Sequence, residues 1–324
     1  MLTLTNENTN VGLVNKLRRM FIALKRAPLI PLIIIGLFTF TAFFADFMTH
    51  HSPTAPVLEL KLLPPFWMDG GNMDYPLGTD PLGRDILTRI IYGARVSLTV
   101  SMLTIFFAGF VGVSLGLISG YYGGWVDSVL MRIVDTTVAL PQILFAIILV
   151  VVIGAGMMNV VLAIAILQWA RYARVIRGEV LSLKERDFIA QARIAGCSVS
   201  RILWVHLFPN VVNTLVVLVT VEIGRIIITE ASLSFLGAGI PPPAPAWGQM
   251  VAGGRDYITS AWWVAAFPGI AIMLVVLSFN LLGDWLRDSL DPKLLLRQLN
   301  ISILLCSIGN LGMFEIASNM SWSL

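Results

Sequence analysis

Apolar residues in this chain gather in long runs rather than recurring every second or fourth position. Stretches of about 20 residues, the length a helix needs to cross a bilayer core, fall at 29–48, 97–119, 134–154, 158–176, 210–231 and 263–283. They predict an all-α integral membrane protein with about six transmembrane helices. Pro141 in the third run and Pro268 in the sixth predict kinks or interruptions, tolerated where neighbours satisfy the freed carbonyls. Between the fourth and fifth runs lies a polar stretch, DFIAQARIAGCSVSRILWVHLFP, from Asp187 to Pro209. Membrane anchorage has no use for such a segment, and it reads as a docking surface for a soluble partner.

Composition agrees with the pattern. The 324 residues are 57% hydrophobic and 13% charged, with a mean hydropathy of +0.83. Soluble domains carry about a quarter charged residues, so a globular enzyme is excluded. The cysteines, Cys197 and Cys306, lie far apart and form neither a disulfide framework nor a metal cluster. His50 and His51 end the first run as interfacial polar residues.

The net charge of +3 says little, but its distribution sets the orientation. With the N-terminus inside, the cytoplasmic segments hold Lys16 to Arg26, Arg132, the seven basic residues from Arg171 to Arg201, and Arg287, Lys293 and Arg297. External loops keep Lys61, Arg84, Arg89, Arg95 and Arg255. This asymmetry satisfies the positive-inside rule, with both termini and the 182–208 loop cytoplasmic. The first run is too long for a signal h-region and reads as an uncleaved anchor. Arg171, Arg174 and Arg177 stripe the end of the fourth run and can snorkel to the interface.

Within the loop, Asp187 is suited to cap a helix. Phe188, Ala192 and Ala195 then share one face at i, i+4 and i+7. Gly196 suits the left-handed position that ends a helix. Ser198 or Ser200 can start a second one, and Pro209 marks entry to the fifth span. A two-turn helix is not stable alone in water and needs a groove.

The fifth span carries Glu222, Arg225 and Glu230. Charges at membrane depth pair or face water. Glu222 and Arg225, at i and i+3, can meet on one face, either as a self-neutralising pair or on the wall of a translocation path. Glu230 lies nearer the outer end.

Several segments carry a family resemblance. Ala190, Gln191 and Ala192, then Gly196, then His206, Phe208 and Pro209 follow the spacing of the coupling loop in ABC-importer permeases, Glu-Ala-Ala, three residues, Gly, nine residues, Ile-x-Leu-Pro. The third position, the glycine and the proline are kept; the others are replaced. GTDPLGRD (Gly78–Asp85) followed by Tyr92–Leu98, EASLSFLGAGIPPPAPAWG (Glu230–Gly248) and NLLGDWLRDSLDPKL (Asn280–Leu294) resemble the dipeptide/oligopeptide/nickel-type subfamily. The first span with its long external loop is similar to the second permease of such pairs. From the residues alone, Asp80 with Pro81 predicts a helix start, supported by Asp80–Arg84 and Asp85–Arg89 pairs. Pro241–Pro245 reads as a stiff external connector.

The resemblance implies an ABC type I importer permease fold. An N-terminal tail, first helix and external loop would occupy 1–92, the permease domain 93–284 and a cytoplasmic tail 285–324. It implies coupling to an ATPase subunit through Asp187, Phe188, Ala190, Gln191, Ala192, Ala195, Gly196 and Pro209, and a path past Glu222, Arg225 and Glu230. The implied partners are a homologous second permease, two ATPase subunits, an external substrate-binding protein and the bilayer, with no nucleic acid. ATP and Mg would sit in the ATPase subunits, since no GxxxxGK[ST] phosphate loop occurs in this chain. Peptides are the implied cargo, with a nickel chelate or glutathione as alternatives. An ion-coupled transporter would give the 182–208 loop no role, a membrane enzyme would need a polar cluster within the bilayer, and a scaffold would not need charge there.

Overall fold

The structure, a computed structural model, describes residues 28–290. The basic flank from Lys16 to Arg26, Cys306 and the tail beyond 290 lie outside the described residues. So does the end of the Asn280–Leu294 segment. A compact unit covers Ala27–Gly283; a second, Met1–Arg26 with Asp284–Leu324, is described only at 284–290. The described residues are helical apart from loops and one isolated bridge, Thr79 to Asp85.

Helix α1, Leu29–Met48, exposes Ile30, Ile33, Leu37, Phe40, Phe43 and Phe47. In a bilayer such a face meets lipid at no cost, because acyl chains are as apolar as leucine. Its other face buries Phe38 and Ala42 beside Trp247 and Phe279, with Phe38 edge-on to the Phe279 ring at 6.2 Å. Asp46, the charge within this span, is held from α2 (Ile86–Tyr122). Tyr92 donates to it at 2.7 Å and Arg95 at 2.9 Å.

The start of α2 corrects the sequence reading. Asp85, not Asp80, caps the helix and accepts from the Thr88 N–H at 2.9 Å. Gly83 adopts φ +73°, a left-handed turn that no helix beginning at Pro81 could contain. Asp80 instead accepts from the N–H groups of Leu82 and Arg84 and pairs with the Arg84 guanidinium at 2.7 Å. Asp85 does not pair with Arg89, which is buried, faces Asp80 at 3.7 Å and donates to the Pro53 carbonyl at 2.6 Å. The segment is a buried tether for the external loop rather than a surface helix.

Helix α2 packs along α5, Met157–Leu183, through a stripe of glycines. A Cβ on Gly116 would lie 2.8 Å from the Ala173 carbonyl oxygen, and one on Gly120 would lie 2.7 Å from Val180 Cβ. Gly112 abuts Tyr172 in the same way. Contacts that advance together along both helices make the pair parallel. Small residues every fourth position allow this backbone approach.

The third apolar run is not one straight span. Helices α3 (Gly124–Ala139) and α4 (Gln142–Ile153) meet at 92° across Leu140–Pro141, the break Pro141 predicts. Pro268, by contrast, lies inside the continuous helix α9, Trp263–Leu290, and does not interrupt it. The fifth span belongs to α7, a 37-residue helical stretch from Val199 to Phe235, and α8 covers Trp247–Gly254. Among the described residues, five helices are long and apolar enough to cross a membrane, or up to six if the bent pair is one span.

Candidate functional site

Helix α6, Asp187–Ile194, forms the centre of the polar loop. Asp187 is its first residue rather than its cap; Arg186 precedes it with extended backbone and no side-chain bond. The carboxylate still favours the positive end of the helix dipole. The C-terminal end matches expectation: Gly196 has φ +73°, its N–H bonds the Arg193 carbonyl at 3.0 Å, and the Cys197 N–H bonds that of Ala192 at 3.0 Å. This is a Schellman turn. Ser198, rather than Ser200, caps the next helix by accepting from the Arg201 N–H.

The expected apolar face is divided. Ile189 and Ala192 are buried against Val180, Ile202 and Leu207, and Arg193 covers the Tyr121 ring at 5.3 Å. Phe188 and Ala195 are exposed, and they do not share a buried stripe with Ala192. At 100° per residue the side opposite Ile189 carries Asp187, Ala190, Gln191 and Ile194, all exposed. Ile194 is 87% exposed and belongs to no core cluster among the described residues.

Pro209 stands in the first turn of the α-helical stretch Phe208–Phe235, the entry to the fifth span that the sequence predicts. It lies within α7, immediately after a π-helical stretch, Ile202–Leu207, whose wider ring is closed by the Phe208 N–H on the Leu203 carbonyl. Pro209 has no N–H to donate, and the π register shifts the ladder past that gap. The second half of the loop, from Val199, is therefore continuous with the fifth span as one helical rod, and α6 joins it through the turn at Gly196.

Each arginine expected to snorkel meets a carboxylate instead. Arg177 donates to both oxygens of Asp127 on α3, at 2.5 Å each, and Ser119 of α2 donates to Asp127 as well. Arg174 reaches Asp135 at 2.7 Å. Arg171 Nη1 lies 3.1 Å from Glu222 Oε1 on α7, and Arg225 Nη1 lies 3.9 Å from the same oxygen. Glu222 and Arg225 do meet, but the nearer partner is Arg171, which no local spacing predicts. The Glu222 side chain is 1% exposed, whereas those of Arg171 and Arg225 are 42% and 39% exposed.

Glu230 is apart from this cluster. It is buried, accepts from Ser234 Oγ at 2.7 Å and has no cation within ion-pair distance among the described residues. Its neighbour Ala231 packs on Gly248 of α8, and Trp247 of α8 donates to the Ile90 carbonyl at 2.9 Å. Glu230 thus sits in the packing that joins α7, α8 and α2.

A family model described as the binding-protein-dependent transport system inner membrane component matches residues 112–296. The di/tripeptide transport system permease protein DppC of Pseudomonas aeruginosa is 41% identical over 263 residues, which are 81% of this chain and 87% of that protein. The dipeptide transport system permease protein DppC of Escherichia coli K12 is 42% identical, over 83% of this chain and 90% of its own. The glutathione transport system permease protein GsiD of Pectobacterium atrosepticum is 47% identical, over 70% and 75%. Among solved structures, the inward-facing MetNI methionine ABC transporter aligns with a TM-score of 0.49 at 18% identity, over 62% of this chain and 96% of that one. The family model and the sequence relatives agree: the chain belongs to the family of binding-protein-dependent transport inner-membrane components, the multi-pass permease subunits of ABC importers.

Proposed function

We propose that this chain forms half of the path by which an ATP-driven importer carries short peptides across the inner membrane. Its partners are a homologous permease, two ATPase subunits that bind ATP and Mg, and an external substrate-binding protein. The observation that carries this reading is α6. It is fixed to the body by Ile189 and Ala192, closed by Gly196 and joined to span five by a continuous rod, yet it leaves Ile194 outward. A short helix held on one side, with an exposed isoleucine among small and polar residues on the other, is suited to a cleft in an ATPase subunit. Closure of the ATPase dimer then displaces α6, and α7 transmits the movement to the membrane as a rigid element. The surface of α6 used for this is Asp187, Ala190, Gln191 and Ile194, with Phe188 and Ala195 at its margins and Pro209 inside the rod.

Peptide cargo is supported by the DppC relatives; the 47% identity to GsiD favours glutathione, itself a tripeptide, as the second reading. The segment 93–284 carries the permease domain on this view. The test is uptake of radiolabelled dipeptide into proteoliposomes holding the reconstituted importer. Uptake should require ATP inside and persist with ionophores. Uptake abolished by ionophores at full ATP would point to an ion-coupled carrier instead.

A further inference from the structure

Arg171 and Arg225 converge on one oxygen of Glu222, so two positive charges share one negative charge. Among the described residues no second carboxylate lies within ion-pair distance of either guanidinium, and Arg225 makes no side-chain hydrogen bond. Arg171 uses a single donor, Nη1. A guanidinium has five, so most of the fork on each arginine is open, and both side chains are substantially exposed. The neighbouring positions add polar groups. Gln168, one turn before Arg171, is buried with its Nε2 unpartnered, and Tyr172, on the adjoining buried face of α5, has its Oη unpartnered.

Such an arrangement is costly unless it has a task. An uncompensated positive charge at membrane depth faces a protein interior or a water-filled path. Glu222 restrains the two guanidiniums without neutralising them, which is the preorganisation an anion site needs. The planar fork of arginine matches a carboxylate through paired N–H bonds.

We propose that Arg171 and Arg225, held by Glu222, form a station in the membrane that binds the C-terminal carboxylate of a passing peptide. This rests on the peptide-importer reading above and adds what the path would recognise. A free carboxylate supplies the one negative charge that the cluster lacks. A C-terminal amide of the same peptide supplies none.

The test is arginine footprinting of the purified, detergent-solubilised importer with phenylglyoxal, read residue by residue by mass spectrometry. The probes are the dipeptide Ala-Phe and its amide, without binding protein, so that selection by that protein does not enter. Ala-Phe at several times its Kd should slow modification of Arg171 and Arg225 at least about fivefold by mass action. The amide should leave both rates unchanged, and exposed Arg255 should be unaffected by either. In Arg171→Gln the concentration of Ala-Phe that protects Arg225 should rise about tenfold, the contribution of one charge-assisted hydrogen bond. Equal protection by acid and amide, no protection by either, or arginines that resist modification without peptide would overturn the station. Any of these beside normal ATP-driven uptake would leave the importer reading standing; absent uptake would remove both.

Discussion

Arg171 of α5 and Glu222 of α7 stand 51 residues apart in sequence and 3.1 Å apart in space, tying the fourth apolar segment to the fifth. The pair, with Arg225 at 3.9 Å, places charge between two helices that would otherwise meet through apolar and small side chains. It fixes α5 to the helical rod that follows α6.

Glu222→Gln should reduce peptide uptake severely while membrane insertion and ATPase-subunit binding continue. Loss of the carboxylate leaves two guanidiniums unpaired. The cost should be roughly 1–3 kcal/mol, between the values for exposed and buried pairs, because the arginines keep partial access to water. Uptake assays beside quantitative blots of membrane and complex fractions check this. Unchanged uptake kinetics would remove Glu222 from the path.

Asp127 and Arg177 make a bidentate pair joining α3 to α5, with side chains 16% and 29% exposed. Lysine cannot reproduce the two parallel bonds. Arg177→Lys should therefore lower the thermal midpoint of the purified complex almost as much as Arg177→Gln. A double-mutant cycle with Asp127→Asn should return a coupling of about 1–3 kcal/mol. A coupling near zero would reduce the pair to a surface contact.

Gly116→Val should destabilise the α2–α5 pair by about 1–3 kcal/mol or more, since even a Cβ there meets backbone. Gly36→Ala in α1, where a Cβ meets nothing within 4 Å, is the control and should be neutral or slightly stabilising. Thermal unfolding in detergent distinguishes them. Equal midpoints would mean that α2 and α5 can part without cost.

The span positions were legible because hydropathy alone decides which residues leave water. The turn at Gly196 was legible too, since a left-handed residue after a short helix narrows the choice to glycine. Asp80 and Asp85 both resemble caps, and only the left-handed Gly83 between them decides the matter. The spacing of Phe188, Ala192 and Ala195 does not reveal the buried face of α6, because Ile189 is the residue that packs with Ala192. The glycine stripe at Gly112, Gly116 and Gly120 was visible as a small-xxx-small pattern and went unread. The partners of Arg171, Arg174 and Arg177 were not legible. They lie on other helices, and no local periodicity pairs them.

Gly196→Val forces a β-branched residue into the left-handed region, at a cost of about 1–2 kcal/mol or more. The Schellman turn should open and α6 should lose its fixed angle. Uptake should fall sharply while the membrane body keeps its thermal midpoint. A variant with normal uptake would show that the turn is not needed to present α6.

The most direct measurement of the central claim is pull-down of the ATPase subunits on affinity-tagged permease carrying Ile194→Asp, paired with ATP-driven uptake in proteoliposomes. Ile194 makes no core contact, so the membrane body should fold as before. Docking through α6 predicts that the ATPase subunit is lost from the tagged chain and that uptake stops. Recovery of the intact complex, with uptake at the unmodified rate, would contradict the claim that α6 is where this permease is gripped.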